Sequence, residues 1–255
     1  MTDQRDFEAQ GVAALSNRNY MTAGDAYTRA GWDTLVEPRP GTTPFDIGTK
    51  GWVGNGLTSL IVATLCYRVA DERATARRRA IEAAAISRDL ADRATNPGQT
   101  ACFTEFTADS HVAGDLSGAS EVYDEAREAY ETAADTVDDA GAMSVTPLFR
   151  AAAAPLKQVA RTLANGEIAI EWDDLHGPDP SEPGSFLGAR AAYKKRRFPG
   201  LLERLVDEGY LAAPRGTTEY ATDHHQCPFC DSRDVNWIHE QTLCLRCSRP
   251  TDPTG

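Results

Sequence analysis

Four cysteines near the C-terminal end constrain this chain more than any other feature. They read Cys227-Pro228-Phe229-Cys230, thirteen further residues, then Cys244-Leu245-Arg246-Cys247. A CxxC pair bends into a tight turn that aims two thiolates at one ion, and two such turns complete a tetrahedron. A fragment this short cannot fold on apolar burial alone, so a bound ion supplies its folding free energy. The spacing therefore predicts that Cys227, Cys230, Cys244 and Cys247 hold one structural Zn2+. Four sulfur ligands leave no open position for a reacting water, which argues against hydrolytic chemistry at this site.

Charge divides the 255 residues unevenly. The formal net charge is −12, from 26 Lys/Arg against 38 Asp/Glu. Residues 186–255 hold ten basic and nine acidic side chains, so the acidity belongs to the longer N-terminal part. Only Lys50, Lys157, Lys194 and Lys195 are lysines. An acidic, lysine-poor composition resembles that of proteins from salt-accumulating halophiles, whose surfaces stay soluble by self-repulsion that molar salt screens. The polar start of the chain, residues 1–8, lacks a signal-peptide core. The most apolar run, residues 57–70, is too short to span a bilayer. These features predict a cytoplasmic protein, where paired cysteines serve as metal ligands rather than disulfides. Cys66 and Cys102 lie in apolar helical contexts and read as buried and inert.

Helical periodicity dominates the first 165 residues. Phe7, Gly11 and Ala14 share one face, residues 17–19 form a polar turn, and Tyr20, Ala23, Tyr27 and Ala30 share the next face. Phe103, Leu116, Ala119, Tyr123 and Ala126 repeat the spacing of Phe7, Tyr20, Ala23, Tyr27 and Ala30, an internal repeat signal. Residues 57–70 and 74–94 read as a middle helix pair. A glycine-rich insertion, residues 38–56, reads as turns, since Gly48-Thr49-Lys50-Gly51 does not complete a phosphate-binding loop. Phe45 and Trp52 are expected to tack it onto the helices. Arg77, Arg78 and Arg79 read as a solvated face. Residues 121–138 read as a long acidic helix. A further helix starts at Thr146-Pro147, is expected to kink or break at Pro155, and closes at Asn165-Gly166.

The small–aromatic–small faces resemble tetratricopeptide repeats, and the phrase from Ala23 to Ala30 resembles the helical layers of SNAP-type adaptors. That resemblance implies an antiparallel helical-repeat domain with a concave surface for peptides or partner proteins. The cysteine module resembles a zinc ribbon, with Val235, Trp237 and Ile238 expected as its small core.

The fold class expected is mainly α: a helical-repeat domain over residues 1–170, an acidic Pro/Gly linker at 171–185, a small α/β segment at 186–223, and a zinc ribbon at 224–250. The α/β segment reads as helix, break at Pro199, helix, then strand–turn–strand with Arg215-Gly216 at the tip, which resembles a minimal winged helix. His224 and His225 read as exposed loop residues. No nucleophile elbow, dinucleotide fingerprint or HExxH helix is present, and nothing argues for catalysis. Arg190, Lys194, Lys195, Arg196 and Arg197 form a basic run. It either contacts nucleic-acid phosphates or packs against the acidic helical domain. The function expected is a non-enzymatic adaptor that binds partner proteins, with a nucleic-acid-associated regulator as the alternative.

Overall fold

The computed structural model describes residues 6–37, 39–46 and 51–254. Pro38 and the Gly48-Thr49-Lys50 stretch, like most of the N-terminal segment considered as a leader, lie outside these residues. Helices α1 (Phe7–Ser16) and α2 (Tyr20–Val36) are joined by the expected polar turn, and each starts on a side-chain cap. Asp6 accepts the Ala9 amide and Asn19 the Thr22 amide. Such a cap satisfies one of the amides left open at a helix start. Helices α3 (Trp52–Val69) and α4 (Arg73–Arg93) follow, then α5 (Pro97–Ala113), with Pro97 in its first turn and Asn96 as cap. Each helix packs on the next through α6 (Ala119–Ala133). The acidic helix expected over 121–138 ends earlier, in a 3-10 turn at Ala134–Thr136.

A short α7 (Ala140–Ser144) leads into α8 (Pro147–Leu163), which continues unbroken through Pro155. Proline removes the amide that would bond the carbonyl four residues back. Here Thr58 Oγ1 donates to that carbonyl, Ala151 O, at 3.0 Å, so the helix continues. Its end is the one expected, with Asn165 and Gly166 both at positive φ.

Residues 171–185 are not a free linker. They contain α9 (Trp172–Leu175), a capping box at Glu171 and Asp174, and the buried anchor Leu175, with buried Ile170 just before them. Trp172 stacks on His176, whose ring also meets Phe186. The next helix, α10 (Pro183–Glu208), is a single element through Pro199, held on both sides of the proline by buried Phe198 and Leu202. This corrects the helix–break–helix expectation. It packs chiefly on α6 and α8 and also reaches α5, so it belongs to the helical body rather than to a separate module.

The arrangement also differs from an open solenoid, in which each repeat touches only its neighbours. Helix α8 lies on α3 and α5, and α10 lies across α5 and α6. The inner face that an open array would offer to a partner is therefore covered by the chain itself. α3 and α5 are buried nearly all round, as expected for helices at the centre of a bundle. Tyr27 and Tyr123 do occupy matching buried sites on α2 and α6. They differ in use: Tyr123 donates to Asp109, whereas the Tyr27 hydroxyl has no hydrogen-bond partner among the described residues.

The strand–turn–strand expected at 210–220 does not form. After Gly209 ends α10 at φ +63, the chain runs extended to β1 (Thr217–Glu219). That strand pairs antiparallel with β3 (Val235–Ile238) in the cysteine module, not with a neighbouring hairpin strand. β3 pairs in turn with β4 (Gln241–Cys244), giving the order β1-β3-β4. A second pair joins β2 (His225–Gln226) to β5 (Asp252–Pro253). No described helix is long and apolar enough to cross a membrane.

Candidate metal centre

Both cysteine turns are built to one hydrogen-bond plan. In the first, the Cys227 amide donates to Ser232 O and the Asp231 amide donates to Cys227 O. In the second, the Cys244 amide donates to Arg249 O and the Ser248 amide donates to Cys244 O. The residue after each second cysteine, Asp231 and Ser248, sits at positive φ, 58° and 53°. The left-handed conformation closes the turn and swings both sulfurs of a pair to the same side, at a strain that a non-glycine side chain accepts only where the surroundings fix it.

The four sulfurs converge. Cys227 and Cys247 Sγ are 3.5 Å apart, Cys230 and Cys244 3.5 Å, and Cys230 and Cys247 3.7 Å, with all four within 4.8 Å of one another. No pair is bonded as a disulfide. A metal–sulfur length of about 2.3 Å in a tetrahedron puts neighbouring sulfurs roughly 3.8 Å apart. The observed spacing fits a tetrahedral ion, so the cluster can hold a metal. Hydrogen bonds from Cys247 and Cys230 and from the Cys247 and Arg246 amides outweigh burial and bring the Cys244 thiol down to about 5. Cys247 is raised above the usual thiol range, mainly as the donor to Cys244, and burial raises Cys230 to about 11.

The small core of the module is Val235, Leu243 and Leu245, all buried. Trp237, expected inside, is instead exposed, with the His225 ring against its face edge-on. Val235 and Trp237 share one face of β3 and both pair with β1, at Glu219 and Thr217, but only Val235 is covered.

The module is stitched to the helical body. Arg18, in the turn between α1 and α2, donates to Cys247 O at 3.2 Å. Gln241 Nε2 donates to Ala9 O, and the Ala213 amide to Ser248 Oγ. Arg246 bridges Asp234 within the module and Glu167 beyond the end of α8. Gly166 has no room for a side chain: a Cβ there would lie 1.9 Å from Leu245 O.

The basic run 190–197 does not form one exposed face. Arg190 is 3 % exposed and Lys194 0 %. Arg190 pairs bidentately with Glu105, and Lys194 Nζ lies 2.6 Å from both Glu105 and Asp109. Tyr130 and Tyr123 donate to the same two carboxylates. Arg190 also donates to Phe149 O and Lys194 to Ala152 O, on the α8 turns around Pro155. Lys195 pairs with Asp124 at the surface. Only Arg196 and Arg197 are exposed. Of the two readings of this run, Arg190 and Lys194 follow the one in which it packs against the acidic helical domain, and the nucleic-acid reading is corrected for both: they are inside the protein and already paired. Sequence inspection missed Glu105 and Asp109. The signal was present, as two acids four apart that are the only carboxylates of α5 and two bases four apart on α10. As expected, Cys66 and Cys102 are fully buried, and burial pushes the Cys102 thiol up to about 12.

The fold and site together define a mostly helical protein carrying a four-cysteine centre able to hold a metal ion. No protein-family model matches the chain, and neither the curated proteins nor the solved structures compared with it give a match.

Proposed function

We propose that the protein is a non-enzymatic adaptor that binds partner proteins and that its four cysteines hold one structural Zn2+. The observation that carries the adaptor reading is a group of exposed apolar side chains on α2, with exposed Asp25 among them. Met21, Trp32 and Val36 are exposed and lie within a narrow arc of that helix. Aromatic and methionine side chains on an exposed face are the usual anchors of a protein interface. The groups with chemical potential point elsewhere: the buried carboxylates and bases satisfy one another, and the four thiols converge on one point. A partner surface on α2 also replaces the concave groove expected from the tetratricopeptide resemblance, which α8 and α10 fill.

Zinc is preferred over other ions because four thiolates in a tetrahedral arrangement match its ligand and geometry preferences. It would serve there as a structural clasp. The acidic, lysine-poor composition is read as salt adaptation in a cytoplasmic protein.

Affinity capture with the full chain in high KCl tests the adaptor reading. The expected result is a stoichiometric protein partner that Trp32→Ser no longer retains. Recovery of bait alone contradicts it. The nucleic-acid alternative is left with Arg196 and Arg197. Binding of duplex DNA or RNA that Arg196→Glu with Arg197→Glu abolishes would favour it instead.

A further inference from the structure

Two arginines at the seam between helical body and cysteine module lack a carboxylate partner among the described residues. Arg18 sits at φ 60° in the α1–α2 turn. Its Nη2 donates to Cys247 O at 3.2 Å, its Nη1 lies 3.4 Å from the Tyr20 hydroxyl, and its guanidinium carbon stands 3.7 Å over the Tyr210 ring. Arg161, in the last turn of α8, is 4 % exposed, and neither of its terminal nitrogens has a hydrogen-bond partner. Tyr210 lies close enough to Arg18, Arg161 and Cys247 for all three to act on its hydroxyl. The neighbouring arginines differ. Arg246 is neutralised by Glu167 and Asp234, and Arg215 is hydrogen-bonded to Gly166 O, Thr218 and Tyr220 at a partly exposed site.

A guanidinium does not escape burial by losing its proton under ordinary conditions. Taking one out of water without a counter-charge costs several kcal/mol. Burial does weaken Arg161, to about 10, still well above neutrality, so it stays charged. The missing anion is supplied by the adjacent module once it is loaded. Four thiolates around one divalent ion leave the centre with a net dianionic charge. The residues next to Arg161 hold Ala212, whose neighbour Ala213 is bonded to the second cysteine turn: Gln158 Nε2 donates to Ala212 O, the Ala212 amide donates to Thr162 Oγ1, and the Ala213 amide donates to Ser248 Oγ.

We propose that Arg18 and Arg161 are the charge partners of the metal-loaded four-cysteine centre, so that metal binding and seating of the cysteine module on the helical body are one coupled event. The inference rests on the metal reading above. Empty, the seam holds two cations with no carboxylate to match them and is loosened. Loaded, it is neutralised and closed. The metal site thereby controls an interface between two parts of the chain, in addition to folding its own turns.

Zn2+ affinity by chelator competition, on the full chain, tests this. Arg18→Gln and Arg161→Met should each weaken Zn2+ binding about tenfold, the scale of a lost outer-shell partner. Arg18→Lys, which keeps the charge, should stay near the wild-type affinity. Arg161→Met should also stabilise the zinc-free protein, because it removes an uncompensated buried cation. A merely structural arginine would give the opposite sign there. Hydrogen exchange on the unmodified protein gives a second readout: the Leu211 and Ala213 amides, bonded to Tyr20 and Ser248, should lose protection when Zn2+ is removed. Wild-type affinity in both variants, or equal protection of these amides with and without Zn2+, overturns the coupling while leaving the metal site intact. A wild-type chain that takes up no Zn2+ overturns both.

Discussion

Lys194 Nζ of α10 lies 2.6 Å from Asp109 Oδ2 of α5, 85 residues earlier, and Arg190 meets Glu105 at the same offset of 85. Two bases four apart on one helix face two acids four apart on another, in register, with every member buried. Breaking one side of such a ladder leaves an uncompensated charge in the core, at a cost of about 3–5 kcal/mol. Lys194→Met should therefore lower stability by about that much in urea unfolding. Adding Asp109→Leu should recover a large part of it, since replacing a whole buried pair by apolar groups is often near neutral. A double variant no more stable than the single one would show that the ladder's worth lies in packing rather than charge.

The same ladder sets a pH dependence with two opposed arms. Burial raises Asp109 to about 6 despite Lys194. Its folded form holds the proton more tightly than the unfolded chain, so its contribution to stability grows as pH falls from about 7 toward 4. For Glu105 burial acts upward too, but Arg190 and Lys194 overcome it and hold the group at about 2. Its contribution is complete above about pH 5 and is lost as pH falls toward 2. The urea midpoint, followed in chelator to keep metal release out of the signal, should rise from pH 7 to about 5 and fall below 4. Asp109→Asn should flatten the upper arm alone. A wild-type midpoint that only declines from pH 7, with an identical curve for Asp109→Asn, contradicts this assignment.

Gly166 is the narrowest point of the seam. It sits at φ +85, and a Cβ would strike Leu245 O at 1.9 Å. Both the conformation and the clash oppose any side chain, and strain of this kind costs on the order of 1–3 kcal/mol or more. Gly166→Ala should unseat the second cysteine turn, seen as faster proteolysis after Gly209, while helix content by circular dichroism stays nearly unchanged. Unaltered proteolysis would place the seam elsewhere.

The net charge of −12 should make stability salt-dependent. Screening of acidic self-repulsion predicts a melting temperature that rises from low to molar KCl. A melting temperature that falls with added KCl removes the salt-adaptation reading.

Much of the helical body was legible because helix signals are local. Asn19 before Tyr20, Thr146-Pro147 and Asn165-Gly166 mark ends that the structure keeps. The cysteine cluster was legible for the same reason: both turns are short and the ligand spacing is fixed by backbone geometry. What escaped were choices made at long range. Pro155 and Pro199 look like breaks, yet Thr58 repairs the first and burial of Phe198 and Leu202 holds the second. Thr217–Glu219 has β character, but its partner lies in β3 rather than in the preceding residues. The 190–197 run has the charge of a phosphate-binding face. Only the position of α5 reveals that Arg190 and Lys194 are turned inward, and only the packing of α9 on α10 shows that the acidic stretch at 171–185 is anchored, by Leu175.

The central claim is that Cys227, Cys230, Cys244 and Cys247 hold one Zn2+ that clasps the C-terminal module. Native mass spectrometry of the intact chain, paired with elemental analysis, tests it most directly. One zinc per chain is expected for the wild type, with none for Cys244→Ser and a cysteine module that becomes protease-sensitive in that variant. A folded wild-type chain carrying no metal, its four thiols free or oxidised in pairs, would contradict the claim.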